Sequence, residues 1–274
     1  MKESRTKGTA LIHIFLILGA IVMAFPFLWM LLTSLKTQGE ISAVPVVFFP
    51  GAFRWENYQK ALDSAPYLLL YKNTILMIIG RIICALLFSS MSAYGFARIS
   101  FPGNNLLFSI VIIQMMVPAE IFMIPQYQMV AKLNLLNSVF ALIFPGLVSA
   151  FGAFFMRQQF MSLPYELEEA AILDGCNRWQ IYSRIMLPLT KSAMVSLAVF
   201  TALFAWKDLM WPIIVNMDMN KLTLSAGLAT LKVSLSSNQG ALMASSVIAT
   251  FPMLILYAIC QKQFIEGIAQ TGMK

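Results

Sequence analysis

Apolar residues fall into six long runs, at about 10–32, 73–97, 106–130, 138–160, 191–215 and 241–262, with polar segments between them. Each run supplies the roughly 20 residues that a helix needs to cross a hydrocarbon core about 30 Å thick. A transmembrane barrel would instead show stretches of about ten residues in which apolar and polar positions alternate. In hydrocarbon every backbone amide needs a partner within the protein, which only helices and closed barrels supply. The pattern therefore predicts an all-α, polytopic membrane protein with six transmembrane helices. The reading is of a single domain over 1–274. An even number of spans puts both termini on one side. The loops on that side are 98–105 and 161–190, and those on the other are 33–72, 131–137 and 216–240.

Composition supports the same class. The chain is 59% hydrophobic and 11% charged, against about 25% charged in soluble domains. The net charge is +7, carried by loops rather than by a basic and aromatic array of the kind that binds nucleic acid. Lys2, Arg5 and Lys7 precede the first run, and basic residues stay on the cytoplasmic side, so both termini are expected in the cytoplasm. That run is too long for a signal peptide and lacks a small-x-small cleavage site, so it is read as an uncleaved span. Cys84, Cys176 and Cys260 form no disulfide framework, and the lone His13 has no zinc-binding companions. No GxxxxGK[ST] phosphate cradle occurs, so any ATP is bound by another polypeptide.

The loop 161–190 is anomalous in length and pattern. Ser162 and Pro164 suit a helix start, and Glu166, Glu168 and Glu169 would lie near its positive end. Leu167, Ala170, Ala171 and Asp174 then share one helical face with small residues at its middle. Gly175 suits a left-handed helix stop. Asn177 can cap a second short helix carrying Trp179, Ile181, Tyr182 and Ile185, which Leu187-Pro188 ends. The alternative is a plain amphipathic connector at the interface.

Glu169-Ala170-Ala171, Gly175, Ile185 and Leu187-Pro188 fall at the spacing of the EAA signature, and the loop resembles that of ABC importer permeases of the type I fold. The resemblance implies that Glu166, Glu169, Ala170, Ala171, Asp174, Gly175, Ile185, Leu187 and Pro188 couple transport to an ATP-hydrolysing partner. Pro26-Phe-Leu-Trp29 to Lys36, Trp55 to Tyr58, Pro118 to Pro125 and Trp206-Lys-Asp208-Leu-Met-Trp211-Pro212 are similar to maltose-type carbohydrate permeases. So is the tail Phe264 to Lys274, which resembles the smaller permease of that group. Lys207 and Glu120 stand where Asn and Gln are usual. The implied assembly holds a second permease subunit, two ATP-binding-cassette ATPases that carry ATP and Mg, and an extracytoplasmic sugar-binding protein. It would sit in a bacterial plasma (inner) membrane, with no cofactor on this chain, no metal site and no catalysis of its own. The tail 263–274 is expected to contact the ATPases.

Ionisable residues inside spans are costly and are functional candidates by default. Arg81, Glu120, Lys207 and Asp208 qualify, with Glu120 or a partner subunit expected to pair with Arg81. Asn73, Gln114, Gln126, Trp206 and Trp211 add amides and aromatic faces suited to a sugar. Three other readings remain. One is a permease of this type for another solute, and one a non-transporting subunit. The third is an ion-coupled carrier, which would favour broken helices and internal repeats.

Overall fold

A computed structural model describes the backbone of residues 2–272 and the side chains of residues 12–255, 257, 258 and 261. The side chains of the basic cluster Lys2, Arg5 and Lys7, of Cys260 and of the tail 263–274 lie outside the described residues. Helices make up the fold, and no strand occurs among the described residues. They are α1 (Lys2–Ser34), α2 (Glu56–Asp63), α3 (Tyr67–Arg98), α4 (Asn104–Met116), α5 (Met123–Lys132), α6 (Val139–Gly146) and α7 (Ala150–Met161). There follow α8 (Glu166–Leu173), α9 (Arg178–Leu189), α10 (Lys191–Lys207), α11 (Met210–Val215), α12 (Leu224–Ser234) and α13 (Gln239–Gly272).

The chain divides into two compact units, residues 1–66 with 228–254, and residues 67–227 with 255–274. In the first, the end of α1 is tied down by side chains rather than by a large core. Asn57 donates to the carbonyls of Ser34 and Lys36, at 2.9 Å each. Lys36 is buried, donates to Val47 O at 2.6 Å and lies 4.2 Å from the centre of the Trp29 ring. Burial holds its ammonium below the usual lysine range, against the opposing pull of Glu40. Thr37 and Glu40 close a capping box around the turn Gln38–Ile41, which satisfies backbone donors that a helix start leaves open.

The second unit has two apolar clusters. One joins Met77, Val130, Leu142, Ala205 and Trp211. The other joins Tyr94, Phe155, Phe160, Ala171, Ile181, Tyr182 and Leu197, and so seats α8 and α9 on the ends of α3 and α7. Asn73 on α3 donates to the carbonyls of Asn220 and Leu222, at 2.9 and 3.0 Å. Thr74 accepts from Leu224 N at 2.8 Å. These bonds clamp the loop before α12.

Only α1 (Ile12–Ser34) and α3 are single helices long and apolar enough to cross a bilayer among the described residues. Two of the expected spans are instead bent pairs, and a third is cut short. The third, expected as 106–130, breaks between α4 and the turn before α5 with a 105° bend. Val117 there is extended, at φ −86° and ψ 129°, because the ring of Pro118 disfavours helical conformation in the residue before it. The fourth, expected as 138–160, bends by 47°, and Ser149 recaps it by accepting from Gly152 N. The fifth, expected from 191 to 215, is entered from α9 through a 76° bend just before Lys191, and its helix α10 stops early at Asp208, whose ψ is 114°. Pro212 has no N–H for the carbonyl of residue 208 and would crowd it. The sixth run lies in α13, of which Gln239–Ile255 is apolar among the described side chains.

Asn73→Ala removes both donors from a buried clamp. It should lower stability by about 1–3 kcal/mol, read as an earlier thermal unfolding transition in detergent, while helix content at low temperature stays unchanged.

Candidate functional site

The loop 161–190 folds as two short helices. α8 begins at Glu166, not at Ser162, whose hydroxyl donates to Gln159 O at the end of α7. The expected Ser162 cap is therefore not made, because the chain first finishes one helix there. Gly175 ends α8 at φ +79°, a conformation glycine adopts without a Cβ clash. Gly175 N donates to Ile172 O at 3.0 Å and Cys176 N to Ala171 O at 2.9 Å. That is the Schellman pattern, which satisfies the last carbonyls of the helix. Asn177 and Gln180 form a capping box at the start of α9.

Burial divides the side chains of α8 into two faces. Glu166, Leu167, Glu169, Ala170 and Asp174 are exposed, and Leu173 is 88% exposed. Ala171 does not belong with them. It is buried in the cluster around Tyr94 and Phe160, since its position points α8 back onto the protein. Ile185 and Leu187 pack against the same cluster, and Pro188 is exposed.

Glu168, which the EAA pattern does not include, is only 3% exposed. Its Oε1 lies 3.5 Å from Arg98 Nε and its Oε2 3.4 Å from Arg178 Nη1. The first contact is an ion pair too long to be a hydrogen bond, and Glu168 Oε1 and Arg98 Nη1 are buried without a hydrogen-bond partner. Burial pushes the Glu168 carboxyl above the usual range, and the two arginines oppose the shift without cancelling it. Arg98 donates through Nε and Nη2 to Phe160 O, and through Nη2 to Leu163 O at 2.5 Å. Its guanidinium lies 4.2 Å from the centre of the Tyr165 ring. The sequence signal was faint: Glu168 and Ala171 are three apart and so share a face, but only packing says which face turns inward.

A second feature is a cavity of about 750 Å³ at the breaks of the third and fourth spans and the early end of α10. Gln114, Glu120, Gln126, Lys207, Asp208 and Trp211 line it together with Arg81. Two of the expected residues lie elsewhere. Asn73 is spent on the clamp before α12, and Trp206 is not in the wall, although its carbonyl accepts from Ser225 at 2.7 Å. Trp211 borders the cavity but is 2% exposed and donates its indole N–H to Ala141 O at 2.8 Å. The other aromatic rings in the wall are those of Phe122, Phe151 and Phe204.

Arg81 pairs with Asp208 at 2.7 Å, rather than with Glu120. It also donates from Nε and Nη2 to Leu142 O, at 2.9 and 2.7 Å. The close approach needs Gly146, where any Cβ would collide with the Arg81 side chain. Glu120 and Lys207 have no ion-pair partner among the described residues. Two cations and two anions leave the wall formally neutral. No cluster of three metal-ligating side chains occurs among the described residues.

Residues 85–269 match the family model of the binding-protein-dependent transport system inner membrane component. The match takes in α8, α9 and every cavity candidate from Gln114 to Trp211. The chain belongs to that family. It is therefore a transport component of an inner membrane, with the general need for an ATPase and a binding protein that such an importer has. The chain is 34% identical over 258 residues to the arabinooligosaccharides transport system permease protein AraQ of Halalkalibacterium halodurans, covering 93% of this chain and 92% of that protein. It is 31% identical to the diacetylchitobiose uptake system permease protein NgcG of Streptomyces coelicolor, covering 98% and 90%. It is 30% identical to the sn-glycerol-3-phosphate transport system permease protein UgpE of Yersinia enterocolitica, covering 99% of each chain. A crystal structure of a bacterial ABC transporter that imports the acidic polysaccharide alginate shares the fold, with a TM-score of 0.79 at 23% identity over 96% of this chain and 98% of that one. Broken helices, associated at the outset with ion-coupled carriers, thus occur in a permease of this family and do not separate the two classes.

Two outcomes follow from these geometries. Asp208→Ala strands a buried guanidinium and should destabilise the protein by about 3 kcal/mol. Arg81→Met combined with Asp208→Ala should cost less than the two single changes added together, as thermal unfolding in a double-mutant cycle would read. For Glu168 the sign is that of a carboxyl with a raised folded pKa, whose stabilising contribution is present in acid and lost as pH rises through that pKa. Wild-type protein should therefore gain stability relative to Glu168→Gln as pH falls from neutral, and parallel melting curves at several pH values would check it.

Proposed function

We propose that this chain is one of two permease subunits of an ATP-driven importer for a neutral carbohydrate. The observation that carries the coupling half of the reading is α8. It presents Glu166, Glu169, Ala170 and Leu173 outward at a Schellman stop formed by Gly175, at the spacing of the EAA signature. An exposed apolar patch flanked by carboxylates suits docking into a basic cleft of a soluble partner. In this reading the partner is a pair of ATPases that hold ATP and Mg, and their closure moves α8 and α9 together. The chain forms one transmembrane domain of six spans, two of them bent, with both termini in the cytoplasm. An extracytoplasmic binding protein delivers substrate to the outer side, toward 216–240.

The substrate half rests on the cavity. Its wall combines two glutamine amides, three phenylalanine rings and balanced charge. Amides and carboxylates bond hydroxyls, and aromatic faces stack on the C–H side of a sugar ring. The relatives named for arabinooligosaccharide and diacetylchitobiose transport favour the same class. A polyol phosphate is the second reading, favoured by the glycerol-3-phosphate relative.

The test is purification of the tagged chain in mild detergent, identification of the subunits that come with it, and assay of ATP hydrolysis with binding protein and a panel of sugars. A second permease, an ATPase and sugar-stimulated hydrolysis are expected. A chain that purifies without an ATPase would sink the proposal. Glu169→Lys should lower uptake by at least about tenfold, the scale of a lost coupling contact, without loss of the chain from the membrane fraction.

A further inference from the structure

We infer that Glu168, held between Arg98 and Arg178, is the joint that passes the motion of α8 to the transmembrane helices. The inference rests on the importer reading above. It assigns a positioning role to a residue outside the EAA pattern, adjacent to the glutamate that faces the partner.

Four segments meet at this carboxylate. Arg98 is the last residue of α3, and its guanidinium also takes the carbonyls of Phe160, at the end of α7, and Leu163, in the link to α8. Glu168 is in the first turn of α8 and Arg178 opens α9. Push α8 at its exposed face, and the force reaches α3 and α7 by two routes. One is apolar contact through Ala171 against Tyr94 and Phe160. That route is short-ranged and slides easily, because dispersion has no preferred direction. The other is Glu168 with its arginines, which is directional and acts between charges with little water around them.

Glu168 Oε1 and Arg98 Nη1 are both buried and both without a hydrogen bond. Buried polar atoms are nearly always paired, so an orphaned donor beside an orphaned acceptor asks for a cause. The geometry answers it. Arg98 Nε, already donating to Phe160 O, stands 3.5 Å from Glu168 Oε1, and a turn of α8 that carries Oε1 to the free Nη1 would pair the two orphans. Here the carboxylate is held by long contacts only, and the turned state adds one direct charge-assisted hydrogen bond. Such an element has two arrangements whose balance an ATPase can shift. Glu169, one residue on, points the opposite way and is exposed. Adjacent carboxylates thus divide the work, one receiving the push and the other passing it on. A helix makes that division simple, since neighbours in sequence stand about 100° apart around its axis.

The test uses the complete transporter in proteoliposomes, with uptake of arabino-oligosaccharides and diacetylchitobiose measured beside ATP hydrolysis. In Glu168→Gln, hydrolysis stimulated by binding protein should persist while uptake per ATP falls about tenfold. Spin labels at the exposed positions 100 and 184, in protein freed of its native cysteines, supply a readout that fold stability alone does not move. The label-to-label distance should stay narrow with and without Mg-ATP in the wild type and broaden in the variant. Should Glu168→Gln fail to assemble, Arg178→Ala carries the same expectation, because that side chain is 54% exposed and its truncation leaves no buried hole. Uptake per ATP and distances at wild-type values in either assembled variant would overturn the inference. A wild-type complex without stimulated hydrolysis would instead overturn the importer reading, and the inference with it.

Discussion

The fold turns on two arginines of one helix. Arg81 and Arg98 both lie on α3, separated by about 25 Å at the rise of an α-helix. Each donates to carbonyls at a bend or end of a neighbouring helix. Arg81 bonds Leu142 O beside the bend of the fourth pair and pairs with Asp208, where α10 stops. Arg98 bonds Phe160 O and Leu163 O, where α7 stops. In a bilayer an unpaired carbonyl is expensive, and a guanidinium with its fixed fork of five donors answers several at once. The cost of burying the arginines is offset by the same bonds. Helices that break inside the membrane can persist because α3 supplies these donors.

Those breaks make the cavity. Two spans turn aside at Val117 and Ser149 and α10 stops at Asp208, and around the space opened there lie Gln114, Glu120, Lys207 and Asp208. Straight helices would have packed against one another and left no such space. The charged residues that cost most to bury are thus found where backbone irregularity is also tolerated, around an open cavity.

The loop 161–190 shows how one short helix can serve two surfaces. Its eight residues are too few to be stable alone in water. Ala171 and the core around Tyr94, Phe160 and Tyr182 hold it in place, as do Glu168 and its arginines. The hydroxyls of Ser90 and Tyr182, 2.7 Å apart, add a bond across to α3. With one side fixed in this way, the other is free to carry exposed apolar and acidic groups.

By itself the sequence determined the class of protein, the position of the apolar runs and the helix stop at Gly175. These depend on local composition and on the conformational freedom of single residues, which the chain carries wherever it folds. The runs 106–130 and 191–215 read as continuous through Pro118 and Pro212, since an apolar run does not show whether a proline within it breaks the helix. Tertiary structure alone decided that Asp208 rather than Glu120 meets Arg81, that Asn73 clamps a loop and leaves the cavity, and that Phe122, Phe151 and Phe204 join its wall. It also decided that Glu168 turns inward while Glu169 turns out. A helical pattern states which residues share a face, but which face is buried depends on partners distant in the chain, here the ends of α3 and α7.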